Sequence, residues 1–427
     1  MRSNLKVHFL IFIVNLLAPT LSAQESFDST SDGSDGPLDF TWAQSLPGAE
    51  RDIILDPKNS DTFDPGSGRV LDPDNDNVFH FTEIKIPSSV TIRLKAPFFN
   101  WKPVYWLVSG NGELSGRLYL SGDSGHGNRA DLRFPAIPGP GGFAGGLGSN
   151  PNSFATNGLG PGAGQLISGN IRGGNASYST VASSSVGIPG EVYGNRYLLP
   201  LIGGSGGAGE GEIDMTTTAV NYGGGAGGGA ILLAVSNVLS FDGYFYSDGG
   251  SPSSDSGGGS GGAIRIIATE ITGNGRVQVY GGSTAGHGRA RIETILPASV
   301  TVYPNNGIST VVTRWVEGTP FLPDDPRLPQ WPEIRVVSVN GIALPEITTA
   351  SFSLPDATVP DENPVEVIIQ TMNIPTSASL NLRVVSVESA DLQISPVFVS
   401  GDDSQATWQA NVSFPQGFSR GYLDGSW

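Results

Sequence analysis

The chain has 427 residues, 60 of them glycine, and its formal net charge is −17. It contains no cysteine, which excludes a disulfide framework, so stability must come from burial and hydrogen bonding. The acidic excess argues against nucleic acid and anionic membranes as partners. The glycines follow no Gly-X-Y period, which excludes collagen. The length predicts two or three domains.

Residues 1–23 have the pattern of a secretory signal peptide. Arg2 and Lys6 precede an apolar run over residues 9–17, and Ala23 is a small residue suited to cleavage before Gln24. This run is too short to span a bilayer as a mature helix, and no later segment approaches that length. We therefore expect a protein that is secreted or held at the cell surface, with no transmembrane segment in the mature chain.

Residues 24–78 are polar and acidic, and we expect a disordered leader and linker there. Near its end, Asp72, Asp74 and Asp76 alternate along the chain, and Glu83 falls at the twelfth position of an EF-hand-like loop. Alternating carboxylates suit calcium, the one cofactor that the sequence predicts, with an affinity of ~10⁻⁴–10⁻³ M. The alternative is a solvated acidic turn that leads into a strand.

Glycine-anchored β repeats occupy residues 79–296. Three stretches align on a glycine and carry an apolar residue two places later: Gly116 with Leu118, Gly243 with Phe245, and Gly275 with Val277. Period-two alternation indicates one buried face, and recurrence at a fixed spacing indicates stacked equivalents. The pattern predicts a parallel, right-handed β-helix-like solenoid with glycines at its corners. Leu118, Phe245, Val277, Ile264 and Ile266 should point inward.

A long insert rich in Gly, Asn, Ser and Pro occupies residues 123–229. It should form irregular coils of its own or a flap against the solenoid, because a structureless loop of this length is uncommon in a compact domain. The apolar stretch 193–202 inside it should pack against the core. Tyr244, Tyr246 and Tyr280 should point outward, either stacking on sugars or lying beneath the flap, and the need of the insert for a packing surface favours the flap.

The C-terminal part has a different texture. Residues 297–332 form a proline-rich connection, and residues 333–427 contain few glycines and many alternating β-formers separated by short turns. This spacing predicts an immunoglobulin-like antiparallel β-sandwich, without the Cys-Trp-Cys frame of antibody domains. The predicted fold class is therefore all-β.

Two sets of side chains are candidates for chemistry. Arg265 and Arg291 with Asp242 could serve a lyase, in which an arginine abstracts a proton beside a uronate carboxylate with help from Ca²⁺. The alternative is a set of solvent-facing residues on alternating strands. His126 and His287 lie in Gly-His-Gly turns that could meet, or could be polar corners. Acidic partners for these histidines would be Asp131 or Glu293.

The pattern resembles a family of uncharacterised, exported, glycine-rich bacterial proteins. The matching elements are Phe79 to Pro87 with Val90 to Leu94, the Gly116 repeat, Tyr193 to Leu201 followed by Gly203 to Gly207, and the GGGxGGA turns. They cover about residues 79–295, together with the trailing sandwich. The resemblance implies a right-handed β-helix of the class that includes pectin lyases and many adhesins. It implies no activity and no functional residue.

Two functions remain open at this point. Packing alone accounts for the repeats, and the sequence offers no convincing pair of catalytic acid and base residues. Both observations favour a non-catalytic structural or adhesin-like surface protein. Its partners would be cell-surface glycans or envelope components. The alternative is a Ca²⁺-assisted polysaccharide lyase or another carbohydrate-active β-helix enzyme.

Overall fold

A computed structural model describes residues 26–126, 134–150, 154–167, 171–183, 187–211, 222–295, 299–303, 309–313, 333–345, 355–359, 364–386, 392–415, 417 and 419–426. This part of the chain is nearly all β. It contains short 3₁₀ turns at Thr41–Ser45, Gly48–Arg51, Ser60–Thr62 and Ala96–Phe99, and no α-helix is assigned in it.

Twenty-two strands follow one another along the described chain. They are β1 (Gly36–Asp39), β2 (Asp52–Ile54), β3 (Val78–Ile86), β4 (Thr91–Arg93), β5 (Val104–Val108), β6 (Gly112–Leu114), β7 (Arg117–Tyr119), β8 (Ala230–Phe241), β9 (Tyr244–Tyr246), β10 (Ala263–Thr272), β11 (Arg276–Gln278), β12 (Arg289–Thr294), β13 (Thr301–Tyr303), β14 (Ser309–Thr313), β15 (Glu333–Val339), β16 (Ile342–Ala343), β17 (Val365–Met372), β18 (Ser379–Ser386), β19 (Leu392–Ile394), β20 (Val397–Gly401), β21 (Gln405–Val412) and β22 (Ser419–Ser426).

The first fourteen strands form two parallel sheets. Sheet A has the order β1-β3-β5-β8-β10-β12-β14, and sheet B has the order β13-β11-β9-β7-β4-β2. Strand β6 lies beyond the end of β5 in sheet A, and both pair with β3 and β8, which closes a ring of four paired strands. The chain passes from one sheet to the other and back, so neighbours within a sheet belong to successive passes.

One hydrophobic core lies between sheets A and B. Strand residues alternate between the two faces of a sheet, and the apolar set of each strand is turned to this core. All five predicted inward residues are confirmed as buried members of it: Leu118, Phe245, Val277, Ile264 and Ile266. The repeat alignment is also confirmed, because Leu118, Phe245 and Val277 pair with one another in register across β7, β9 and β11.

The parallel sheets extend past both predicted limits, since β1 begins at Gly36 and β14 ends at Thr313. The expectation of a disordered leader over residues 24–78 is corrected for its described part, which is folded. Leu38, Leu55 and Leu71 are fully buried in the core between the sheets. The prediction was wrong because the segment is polar on average. A few well-spaced apolar residues are enough to hold it in place when each of them is buried in the core.

An N-terminal strap crosses the outer face of sheet A before β1 begins. The amide of Phe27 donates to Thr269 Oγ1 on β10 at 2.8 Å, and that of Ser29 donates to Ser236 Oγ on β8 at 3.0 Å. Ser31 Oγ then donates to the carbonyl oxygen of Phe81 on β3 at 3.0 Å. The strap therefore ties together strands from successive passes of the chain.

The glycine-rich stretches form a packed layer without strands, here called the glycine bundle. It comprises residues 120–126, 139–149, 156–164, 173–179, 203–211, 222–229, 249–262 and 281–288. Phe143, Gly146 and Ser149 donate their amides to the carbonyls of residues 204, 207 and 210. The amides of residues 204, 207 and 210 donate in turn to the carbonyls of residues 228, 225 and 222, respectively. Every third residue thus faces the same neighbouring segment, as in polyproline II helices with three residues per turn.

Glycine is required in the bundle because the segments touch backbone to backbone. A Cβ on Gly227 would lie 1.8 Å from the carbonyl oxygen of Gly204, and one on Gly224 would lie 2.1 Å from that of Gly207. The same crowding reserves every third position of collagen for glycine. Much of the described part of the insert 123–229 belongs to this bundle, and many of its glycines fill packed segments rather than corners.

The remaining strands form two antiparallel sheets. Sheet C has the order β16-β15-β17-β21-β20, and sheet D has the order β19-β18-β22. Val367, Ile369 and Trp408 of sheet C share one buried cluster with Leu382 and Val384 of sheet D. The two sheets therefore pack face to face, as predicted for a β-sandwich. The connection 297–332 lies mostly outside the described residues.

Candidate functional site

The arginines predicted for a lyase lie in a buried ion-pair cluster on the outer face of sheet A. Arg265 on β10 and Arg291 on β12 are directly paired across the two strands. The Nε atoms of both arginines lie 2.8 Å from Glu293 Oε1. The side chains of Arg265 and Glu293 are 5% and 4% exposed. Burial alone would raise the pKa of Glu293, but the two guanidinium groups outweigh it and hold the pKa below its ordinary value.

A segment of the insert covers this cluster. The Arg291 guanidinium lies 5.3 Å from the centre of the Tyr197 ring, and its Nη1 donates to the carbonyl oxygen of Arg196. Leu198 and Leu201 of the same segment pack with Leu232 on the outer face of β8. Residues 193–202 were predicted to pack against the core, but their buried members Leu198 and Leu201 lie in a separate cluster on the outer face of sheet A and not in the core between the sheets. The Arg291 side chain is therefore only 11% exposed, and it faces residues 196 and 197.

Asp242 lies away from the two arginines. It follows β8 in the turn that leads to sheet B, is exposed, and accepts the amide of Asn274 at 3.0 Å. The predicted lyase set is therefore not assembled: two members are covered on the outer face of sheet A, and the third belongs to a turn.

The acidic loop at Asp72 is closed on itself. Asp72 is buried, and its carboxylate accepts the amides of Asp76 at 3.0 Å and Asn77 at 2.9 Å. Burial raises the pKa of Asp72 to about 7 despite these two bonds. Glu83, on β3, pairs with Lys85 at 3.2 Å. The geometry assigns Asp72 to holding the loop, which is the turn leading into β3.

The four predicted calcium ligands, Asp72, Asp74, Asp76 and Glu83, are not brought together. Within the described ranges, no group of three or more His, Asp or Glu side chains is arranged to hold a metal ion. Calcium binding at this loop stays a prediction without geometric support.

The two histidines of the Gly-His-Gly turns have different partners. His126 contacts Phe134 edge to face at 6.2 Å, and His287 contacts Tyr280 at 5.6 Å. Burial lowers the pKa of His287. Asp131 lies outside the described residues, and Glu293 is engaged by the arginines of sheet A. The described ring contacts therefore do not bring the two histidines together.

The outer face of sheet B carries two rows of aromatic and charged side chains, here called the tyrosine–arginine face. One row, in pairing order, is Asp52, Thr91, Arg117, Tyr244, Arg276 and Thr301. The adjacent row is Ile54, Arg93, Tyr119, Tyr246, Gln278 and Tyr303. Each row exists because parallel strands in register place equivalent positions side by side.

The tyrosines of this face stack on one another. The rings of Tyr119 and Tyr246 are 4.4 Å apart and 9° from parallel, and those of Tyr244 and Tyr246 are 5.7 Å apart and 5° from parallel. The Arg93 guanidinium lies 4.7 Å from the centre of the Tyr119 ring, and that of Arg276 lies 5.5 Å from the Tyr244 ring. Contacts of this kind stabilise the sheet and also leave a polar, ordered outer surface.

Of the insert, the segment 193–202 packs on sheet A, and the ring contacts of these tyrosines do not involve the described part of the insert, which differs from the predicted flap. Tyr244 and Tyr246 remain partly exposed, and the ring contacts described for them come from sheet B itself. Tyr280 lies immediately before the bundle segment 281–288, where its ring contacts that of His287. Sequence reasoning missed Arg117 and Arg276, although the alignment of the repeats places both of them one residue before an inward position.

No protein-family model, curated protein or solved structure matches this chain. In the described residues, no helix is long and apolar enough to cross a membrane.

Proposed function

We propose that this protein is an exported, non-catalytic, adhesin-like surface protein. Sheets A and B would be wound as a right-handed β-helix-like solenoid, and sheets C and D would form an appended immunoglobulin-like sandwich. Alternation of strands between two parallel sheets supports the winding, and crossover connections between parallel strands are nearly always right-handed. The resemblance to exported glycine-rich bacterial proteins supports the location.

One observation carries the non-catalytic assignment. Arg265 and Arg291 share the single carboxylate of Glu293 beneath the segment 193–202. A proton-abstracting arginine needs contact with substrate and an environment that lowers its proton affinity. Here both guanidinium groups contact the Glu293 carboxylate and are largely buried, so neither is presented to a substrate. We therefore interpret this ion-pair cluster as structural: it helps to hold the segment 193–202 on sheet A.

Export also agrees with the composition and the strap. Cleavage before Gln24 would leave intact the contacts that begin at Phe27. Without cysteine, such a protein would rely on the core between its sheets and on the backbone bonds of the glycine bundle. A rigid exported scaffold with an ordered polar face suits attachment to glycans or envelope components.

An activity assay tests this function against the alternative of a lyase. The mature protein is incubated with polygalacturonate and alginate, with and without Ca²⁺, while the absorbance of unsaturated uronate is followed. We expect no turnover, and no difference between the wild type and Arg265→Ala. Turnover that disappears in Arg265→Ala would establish the lyase and overturn the non-catalytic assignment.

A further inference from the structure

The tyrosine–arginine face contains two exposed arginines on either side of one tyrosine. Arg117 on β7 and Arg276 on β11 both pair in register with Tyr244 on β9. Adjacent strands are about 4.8 Å apart, so the two arginine backbones are separated by roughly 10 Å. Both side chains are exposed. Among the residues that the structure describes, neither arginine makes an ion pair within 4.0 Å.

The third arginine of the face is already engaged. Arg93 donates from Nε and Nη2 to the two carboxylate oxygens of Asp52, at 2.6 and 2.7 Å. This bidentate pair shows the geometry in which guanidinium groups on this face hold a carboxylate. Arg117 and Arg276 offer the same planar fork with no such partner in the described structure.

The stacked tyrosines contribute polar edges rather than open ring faces. Tyr119 and Tyr246 lie face to face, so the faces turned to each other are not available to a sugar ring. Their phenol groups can donate to and accept from sugar hydroxyls beside the arginines. A ligand for this surface would therefore carry regularly spaced anionic groups together with hydroxyls.

We propose that the row Arg117–Tyr244–Arg276, with Tyr119 and Tyr246 beside it, binds an acidic polysaccharide whose carboxylates or sulfates engage the two arginines. The proposal rests on the adhesin-like function given above and names its ligand class. Charge complementarity favours an acidic over a neutral glycan, because the two exposed guanidinium groups form a local positive patch on a chain of net charge −17. The chain's overall repulsion of polyanions confines binding to this local surface.

Biolayer interferometry with immobilised polygalacturonate, alginate and heparin tests the site. The buffer contains EDTA, so that Ca²⁺ cannot bridge the polymer to the acidic loop. We expect the mature wild-type protein to bind at least one of these polymers. Carboxyl-reduced polygalacturonate, which is neutral, should bind at least tenfold more weakly than its acidic parent if the carboxylate is the group recognised. For heparin, desulfated heparin is the matching comparison.

The double variant Arg117→Gln/Arg276→Gln should lose roughly tenfold or more in affinity, because each charge-assisted bond is removed. The matched control is Arg172→Gln, which removes one exposed arginine from the glycine bundle side. It should remain within twofold of the wild type. Arg276→Lys keeps the charge but not the planar fork, and it should fall between the two. Thermal unfolding of each variant checks that the fold is retained.

Several outcomes contradict the proposal. They are the absence of binding to all three acidic polymers, equal binding to the neutral form, equal binding by the double variant, or a preference for DNA of matched charge. These outcomes differ from failure of the adhesin-like function, which is cleavage of a polymer by the wild type. Retention on a glycan that the double variant shares would preserve the function and remove this site.

Discussion

Individual polar residues join the glycine bundle to sheet B, and Asp248 is the clearest example. Its Oδ2 accepts Gln278 Nε2 at 2.6 Å, and its Oδ1 accepts the amide of Tyr280 at 2.7 Å. These bonds fix the point where the chain leaves β11 for the bundle. Burial raises the pKa of Asp248 to about 6, and the two hydrogen bonds only partly offset this effect.

This raised pKa predicts a dependence of stability on pH. Between pH about 4 and 6 the folded state keeps a proton on Asp248 that the unfolded state has lost. The free energy of unfolding should therefore fall as the pH rises through this window, by on the order of 2 kcal/mol from this group. Asp248→Asn, which cannot ionise, should make that part of the profile less steep, and the slope that remains would come from groups such as the buried Asp72.

Urea unfolding at pH 4, 5, 6 and 7 measures this effect. Asp242→Asn is the control, since it removes an exposed carboxylate at the other end of β9. The control should keep the wild-type slope. A wild-type slope that persists unchanged in Asp248→Asn would show that burial of this carboxyl does not govern the profile.

The glycine bundle is the most distinctive element of the fold. Every third amide of these segments donates to a neighbouring segment, although bonds such as that from Gly142 to Gly139 also close turns within a segment, so the stability of the bundle depends strongly on bonds between segments. Glycine loses much conformational entropy on folding, and close backbone packing must compensate for it. The bundle should therefore tolerate no side chain at its contact points.

Gly227→Ala tests this dependence, because the added Cβ would lie 1.8 Å from the carbonyl oxygen of Gly204. The nearest atoms are backbone atoms of Gly204 and Ser205, so no flexible side chain can move aside, and we expect a loss of about 3 kcal/mol or more. Gly48→Ala is the matched control, since a Cβ there meets nothing within 4 Å. Chemical denaturation compares the two variants. Equal stability of both would mean that the bundle is not closely packed.

The molecule as a whole contains separate hydrophobic cores. The core between sheets A and B and the core between sheets C and D share no residue. An ion pair of Lys102 with Glu333, 3.1 Å apart, links the two parts. Partly exposed pairs of this kind contribute about 1 kcal/mol or less. The two parts should therefore unfold independently.

Differential scanning calorimetry should show two transitions. Phe245→Asp, which places a carboxylate in the first core, should abolish or strongly lower one transition and leave the other in place. Val367→Asp should do the reverse, since Val367 is buried in the second core. A single cooperative transition in the wild type, lost in both variants, would show that the two parts fold as one unit.

The repeats determined much of the fold by local pattern alone. An apolar residue at every second position after an aligned glycine specifies which face of a strand is buried. The sequence alone therefore predicts that Leu118, Phe245 and Val277 point inward. The antiparallel C-terminal sheets were readable in the same way, from alternation and short turns.

The candidate site and the glycine bundle were decided by tertiary structure. Glycine has no side chain whose pattern distinguishes a corner from a packed segment, and only the neighbouring backbones impose that choice. Likewise, alternation shows that Arg117, Arg276, Arg265 and Arg291 point away from the core between the sheets. It does not show which outer face the insert covers. In the structure, residues 196 and 197 of the insert lie against the arginines of sheet A, whereas Arg117 and Arg276 of sheet B are exposed. Contacts between segments so far apart in the sequence are not encoded by any local pattern.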